Sequence, residues 1–265
     1  MSNKYIEVSK LKLSTKNKNN KTILNDIYFT SPFKVAQPFY INNNFIKVIV
    51  MSSSAGTLEG DVHEYDISLG DNTNMELTSQ SYEKIYTMND DEAYRECNIY
   101  IGSNSMLKYN LLPTIPYKDS AFKSNTKIKI KDNTSRLIYT DIINCGRVGF
   151  GERFQYKYYK SYLEIEREID NKIIYLDNTI YKPDEMNMNS FGMYEGYTHF
   201  ANMIILNVEN HDDILNKIRK IIDDSKLDGG VSLTENNDIS VKVFAYNSDK
   251  LIDLSNQISH LIIKA

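Results

Sequence analysis

Apolar and polar residues alternate with a period of two through the first two thirds of the chain, so residues 5–13, 45–50, 62–69, 74–79, 106–111, 127–131, 136–143, 154–159 and 162–168 read as strands. Within 127–131 the isoleucines Ile128 and Ile130 point one way and the lysines the other, as a sheet with one wet face requires. Gly70-Asp71-Asn72, Gly102-Ser103-Asn104, Asp132-Asn133-Thr134 and Asp170-Asn171 punctuate the strands as turns. No helix of useful length fits before Ser190, which makes this body all-β. The period then changes. Ile214, Leu215, Ile218, Ile221 and Ile222 recur at helical spacing over 211–225 behind Asn210 as N-cap. A second helix is predicted over about 249–262, capped by Ser248, with Leu251, Leu254, Ile258 and Leu261 on one face. Gly229-Gly230 and strands near 231–233 and 239–245 lie between them. Amphipathic helices of this length are not stable alone, so both must pack on the sheet or on a partner.

These elements predict a mainly β fold: a multi-stranded, layered or solenoid-like sheet body with two α-helices in the C-terminal region. One domain, 1–265, is expected, with a β body over about 1–209 and an α/β part over about 210–265. No internal repeat with a fixed motif is evident. Two connections stand out. SSSAGTLEGD (52–61) joins two strands and carries Glu59 and Asp61, while Gly56 and Gly60 permit positive φ or close approach to a neighbour. It reads either as a polar hairpin connection or as a crossover that delivers acids to one place. KPDEMNMNSFGMYEGY (182–197) lacks strand alternation and is rich in Met and aromatics, as either a loop folded over the core or a partner surface is.

Composition narrows the function. The chain has 265 residues, enough for a sizeable core, and 31 Lys+Arg against 35 Asp+Glu give a net charge of −4, which argues against a duplex nucleic-acid binder. The basic cluster at 10–21 is also Asn-rich and reads as a solvated hairpin tip. No apolar stretch is long enough to span a bilayer and the first residues lack a secretion-signal core, so a cytoplasmic location is expected. Cys97 and Cys145 match no paired metal spacing and read as small buried side chains.

Nucleophile elbows and phosphate-binding glycine motifs are missing. His63, His199, His211 and His260 are scattered without zinc-site spacing and read as surface or strand-face residues. Carboxylates carry more information. Glu59, Asp61 and Glu64 cluster, Asp141 lies within the apolar strand 136–143, Glu152 follows a Gly-rich turn, and Asp177 closes the strand 172–176. A buried Asp141 needs a partner, and Arg147, close by in sequence, invites a buried salt bridge. Paired acids on a β scaffold also fit a carbohydrate-active enzyme, but such sites lean on Trp and the chain has none.

In order along the chain, SPFKVAQPFY (31–40), MSSSAGTLEGD (51–61), LTSQSYEKIY (77–86), LPTIPYKDSAF (112–122) and CGRVGFGERF (145–154) resemble the UreD family of urease accessory proteins, called UreH in some bacteria. YLDNTI (175–180), GYTHF (196–200) and DGGVSLT (228–234) extend the match to the UreH branch. The resemblance implies a non-enzymatic, mostly β scaffold. It would bind the helical protein UreF and, through it, the GTPase UreG, often as a dimer of heterotrimers. That assembly docks on apo-urease and helps insert nickel, for which the family is proposed to contain an internal tunnel. No tightly bound cofactor is implied, only transient Ni²⁺. By motif match the resemblance places Asp61, Asp141, Glu152 and Asp177 along the nickel path, while Glu59 departs from the family pattern. Isolated oxygen ligands suit a conduit, which must bind without trapping. For docking a helical partner, Met186, Met188, Phe191 and Tyr194 of the Met-rich segment, with Leu254 and Ile258 of the second helix, are the candidate anchors. A metal-free adaptor is the other binding role the sequence admits.

Overall fold

The computed structural model describes residues 8–264, so the first positions of the strand predicted from residue 5 lie outside the described residues. Eighteen strands and two helices follow one another: β1 (Val8–Lys18), β2 (Lys21–Phe29), β3 (Phe33–Val35), β4 (Phe39–Asn42), β5 (Phe45–Ser52), β6 (Val62–Leu69), β7 (Asn74–Ser79), β8 (Glu83–Ile85), β9 (Ala93–Ile101), β10 (Met106–Asn110), β11 (Thr114–Pro116), β12 (Ala121–Ile130), β13 (Arg136–Asn144), β14 (Tyr158–Arg167), β15 (Lys172–Tyr181), β16 (His199–Leu206), α1 (His211–Ser225), β17 (Asp228–Leu233), β18 (Ile239–Ala245) and α2 (Ser248–Lys264).

From β5 to β14 the chain winds as a solenoid. Successive long strands alternate between two sheets, so that neighbours within each sheet run parallel: β1-β6-β9-β12-β14 in one, β5-β7-β10-β13 in the other. Antiparallel strands finish the stack, β2 and β15 on the first sheet, β3, β4, β16, β18 and β17 on the second. Inward-facing residues such as Ile67, Leu77, Ile99, Leu107, Ile130 and Leu163 fill the space between the sheets. The two helices cover the outer face of β13, β16 and β18, where Ile214, Ile218, Ile222, Leu251, Leu254 and Ile258 pack on Ile138, Met203 and Val241. Here Asn247, not Ser248, caps α2: its Oδ1 accepts the Lys250 N–H at 3.1 Å, while the Ser248 hydroxyl pairs with that of Tyr82 at 3.0 Å. Asn210 occupies the N-cap position of α1 in the left-handed region without a side-chain capping bond.

The two ends of this stack differ. At one end the connections are tight and repeat a pattern absent from the predicted organisation: Gly70-Asp71-Asn72-Thr73, Gly102-Ser103-Asn104-Ser105 and the related 131–135 turn, with Asn72 and Asn104 at φ 59° and 52°. Their last hydroxyls are buried and linked. Thr15 Oγ1 meets Thr73 Oγ1 at 2.7 Å, Ser105 Oγ accepts the Thr73 N–H at 3.0 Å, and Ser135 Oγ donates to the Gly102 carbonyl at 3.0 Å. Each buried turn thereby satisfies polar groups that the sheets cannot reach. At the opposite end the connections are long, residues 53–61, 80–92, 111–120, 145–157 and 182–198. All the acids assigned by motif lie on these connections or on the half of a strand nearest them.

Candidate functional site

The 52–61 segment is a crossover between sheets, not a hairpin connection: β5 belongs to one sheet and β6 to the other. It is stitched to β8, the Thr57 N–H donating to the Lys84 carbonyl at 2.8 Å and the Tyr86 N–H to the Thr57 carbonyl at 2.9 Å. A side chain at Gly56 would collide with the Lys84 carbonyl, 2.5 Å from where its Cβ would stand. Gly60 supplies the positive φ, 80°. The acids this loop carries tie it down. Glu59 Oε1 accepts the N–H groups of Asp90 and Asp91 at 2.7 and 2.8 Å, and Asp61 Oδ2 accepts the Leu58 N–H at 2.7 Å. Asp61 also stands 3.9 Å from His63 Nε2.

His63 faces inward from β6 and borders a cavity of about 70 Å³ between the sheets, with Glu83, Arg95, Tyr65 and Thr57. Burial favours the neutral imidazole and pulls its pKa down. Arg95 is the central charge: it is 6 % exposed, forms an ion pair with Glu83 and lies 3.4 Å from the Ser124 hydroxyl through Nε. Burial works against its charge, and Glu83 together with the surrounding tyrosines more than restores it.

A second cavity, about 20 Å³, opens further along the interior and is walled by Asp141, Asp177, Asn202, Tyr139, Tyr159 and Thr179. Asp141 projects inward from β13. It is half-buried and lines this cavity. Burial pushes its carboxyl up to about 6; Arg95 pulls the other way, and Glu83 and Asp177 add to the rise. Asp177 enters from β15 across the cavity, accepting hydrogen bonds from Thr179 Oγ1 at 2.8 Å and Asn202 Nδ2 at 3.2 Å, with Lys242 Nζ at 3.6 Å on its outer side. Glu83, Arg95, Asp141 and Asp177 thus form a thread of interacting charges through an otherwise apolar core.

Two of the four acids assigned by motif therefore meet, and two do not. Glu152 lies in the 145–157 connection and not at this cavity, in an ion pair with Arg147 that holds it below the usual carboxylate range, and it accepts the Lys118 N–H at 3.2 Å. That overturns the expected pairing of Asp141 with Arg147, because Gly146, at φ 139°, turns the chain so that Arg147 folds back on Glu152 and over the Tyr117 ring, 4.1 Å to its centroid. Asp61 sits at the loop end beside His63, apart from the Asp141 cavity. Among the described residues no three His, Cys, Asp or Glu side chains converge as a metal cage.

The partner-face residues are corrected in the same way. Met188 and Tyr194 are buried, and Tyr194 packs edge-on against Phe154, Tyr181, Phe200 and Phe244, closing the 182–198 connection over the core. Leu254 and Ile258 are spent inside α2's own contact with the sheet. Only Met186, 40 % exposed, and Phe191, 95 % exposed, face outward, joined at this end by Phe150, 80 % exposed. His199 is buried on its strand, its pKa pulled down to about 4 by burial. Both cysteines are free and buried, as their sequence context suggested, and burial pushes the Cys97 thiol up to about 12.

Similarity to known proteins extends over nearly the whole chain. UreH of Helicobacter pylori is 35% identical over 262 residues, which cover 98% of this chain and 97% of that protein. UreD of Acetivibrio thermocellus is 33% identical over 264 residues, 99% and 100% of the two chains, and UreH of Helicobacter hepaticus 34% identical over 258 residues, 96% and 98%. Residues 7–265 match the family model described as UreD urease accessory protein, and the chain belongs to that family.

Proposed function

We propose that this chain is the scaffold of a urease-maturation complex that carries nickel through its interior to the apo-enzyme. As a UreD-family accessory protein it is not an enzyme, which removes the carbohydrate-active reading of its acids. The observation that supports a route is the single cavity bordered by both Asp141 and Asp177. Two carboxylates with amide and hydroxyl neighbours replace part of a hydrated cation's shell and still release it. Neutralising both, Asp141→Asn with Asp177→Asn, is expected to leave the accessory complex assembled while the nickel content and activity of the matured urease fall at least tenfold. Normal nickel loading by an assembled complex would leave only the metal-free adaptor.

UreF, with UreG bound through it, is the proposed partner, in a cytoplasmic dimer of heterotrimers that docks on apo-urease. The long-connection end, where Met186, Phe191 and Phe150 stand exposed, is the proposed docking surface. Co-purification of UreF with the Met186→Glu/Phe191→Glu chain is expected to drop at least tenfold with thermal stability unchanged, since neither side chain is buried; undiminished recovery places the contact elsewhere.

A further inference from the structure

The first coil of the solenoid is left open at its outer edge. Among the described residues β2 pairs with β1 on one side and with no strand on the other, only the Thr22 N–H at its start donating to the Asn43 carbonyl, at 3.1 Å. Its register sets Phe29 opposite Leu11 and Ile27 opposite Leu13, and both leucines belong to the core. Directly opposed residues of an antiparallel pair share a face, so Ile27 and Phe29 project on the core side of the sheet. They nevertheless remain 42 % and 40 % exposed, while Tyr28 on the other face is 49 % exposed. A long, open edge strand with apolar side chains on both faces is a template for another strand.

Charge says which strand fits. Residues 8–52 hold seven lysines and one acid, Asp26, in a chain whose net charge is −4, so the rest carries −10. Lys10, Lys12 and Lys47 are paired with Glu64, Asp66 and Glu76. Lys16, Lys18 and Lys21 at one end of β2, and Lys34 near the other, are exposed and have no carboxylate partner among the described residues. A second copy meeting this edge across a two-fold axis would set these lysines against one another.

We propose that the free edge of β2 binds an extended, acidic segment of a partner protein by strand addition, with apolar side chains covering Ile27 and Phe29 and carboxylates meeting the flanking lysines. Backbone hydrogen bonds supply the pairing, and the charges set its sign and salt dependence. This site is independent of the nickel route and of the Phe191 surface.

The test uses the full chain and three synthetic nine-residue peptides carrying a fluorophore: valine and phenylalanine alternating with glutamate, the same with lysine for glutamate, and the glutamate peptide interrupted by a central proline. Fluorescence anisotropy is expected to show saturable binding of the glutamate peptide, weakened at least tenfold by either change in the peptide and by raising salt from 50 to 500 mM. The Ile27→Asp/Phe29→Asp chain, shown by circular dichroism to remain folded, is expected to bind at least tenfold more weakly, and hydrogen exchange to slow at β2 of the unaltered chain when the peptide is present. The proposal is overturned by equal binding of the acidic and basic peptides, by an unaffected double variant, or by no binding at all. Concentration-dependent self-association abolished by the same double substitution also overturns it, since the occupant is then a second copy.

Discussion

Replacing Arg95 with leucine is expected to lower the stability of the folded chain by about 3–5 kcal/mol, the largest single-residue loss in the interior. The reason is what it leaves behind. Glu83 keeps its carboxylate beside the same cavity without its guanidinium partner, and Ser124 loses a charged neighbour at 3.4 Å. A second consequence reaches the next cavity. Arg95 is the cation that pulls the Asp141 carboxyl down, so without it Asp141 titrates above about 6 and a larger share is protonated at neutral pH. Urea unfolding reads the first effect as a shifted midpoint with an unchanged slope. Adding Glu83→Gln to Arg95→Leu should recover part of the loss, because the stranded charge is then removed. A loss below about 1 kcal/mol, or a double variant no better than the single, would show that the pair contributes little.

Much of the scaffold was legible because alternation marks a strand whatever its sheet. Val62–Leu69 and Asn74–Ser79 have the predicted bounds, and α1 occupies its predicted range, 211–225. What alternation does not report is which of two parallel sheets a strand joins, so the winding of the solenoid emerges only from the register. The predicted strands 154–159 and 162–168 are one strand, Tyr158–Arg167, with Phe154 at φ 51° in the loop before it. The repeated turns were in the sequence all along, with Thr73 and Ser105 closing the Gly-x-Asn-hydroxyl pattern. They are too short to stand out until the stacked hydroxyls give them a physical reason.

The site was half legible for a related reason. Arg95 belongs to β9, where Ala93, Cys97, Ile99 and Ile101 are all buried on one face; an arginine in that apolar phase is a buried cation in need of an acid. Residues 93–101 are not among the strands that alternation predicts, which leaves the central charge, and Glu83 with it, unassigned from sequence. Asp141 is legible by the same logic, an acid in an apolar strand, but sequence proximity names the wrong partner for it. In a solenoid the neighbours of a side chain come from the coils above and below, about 30 residues away in sequence, so Arg147, six residues on, falls in the connection and not beside Asp141.

Asp141→Asn is expected to make the protein more stable and worse at its task. A carboxyl near 6 in the folded chain against 3.8 in the unfolded one means that the folded state holds its proton more tightly. The sign follows directly: stability from this group falls as pH rises from about 4 to 6, and above 6 the full cost of an ionised, buried carboxylate is present, about 3 kcal/mol. Asparagine does not ionise, so the variant should gain up to that amount at pH 7.5 and almost nothing at pH 4. Urea unfolding of both proteins across that range checks it, the difference growing between pH 4 and 6 and then levelling. Parallel curves would mean that Asp141 is not held ionised against its surroundings. The chain retains this costly charge where a leucine would pack, at a wall facing Asp177, and a buried group kept at the expense of stability is the pattern expected where a function needs it. If the same variant still loads urease with nickel at the wild-type rate, the cost has some other reason and the route does not pass Asp141.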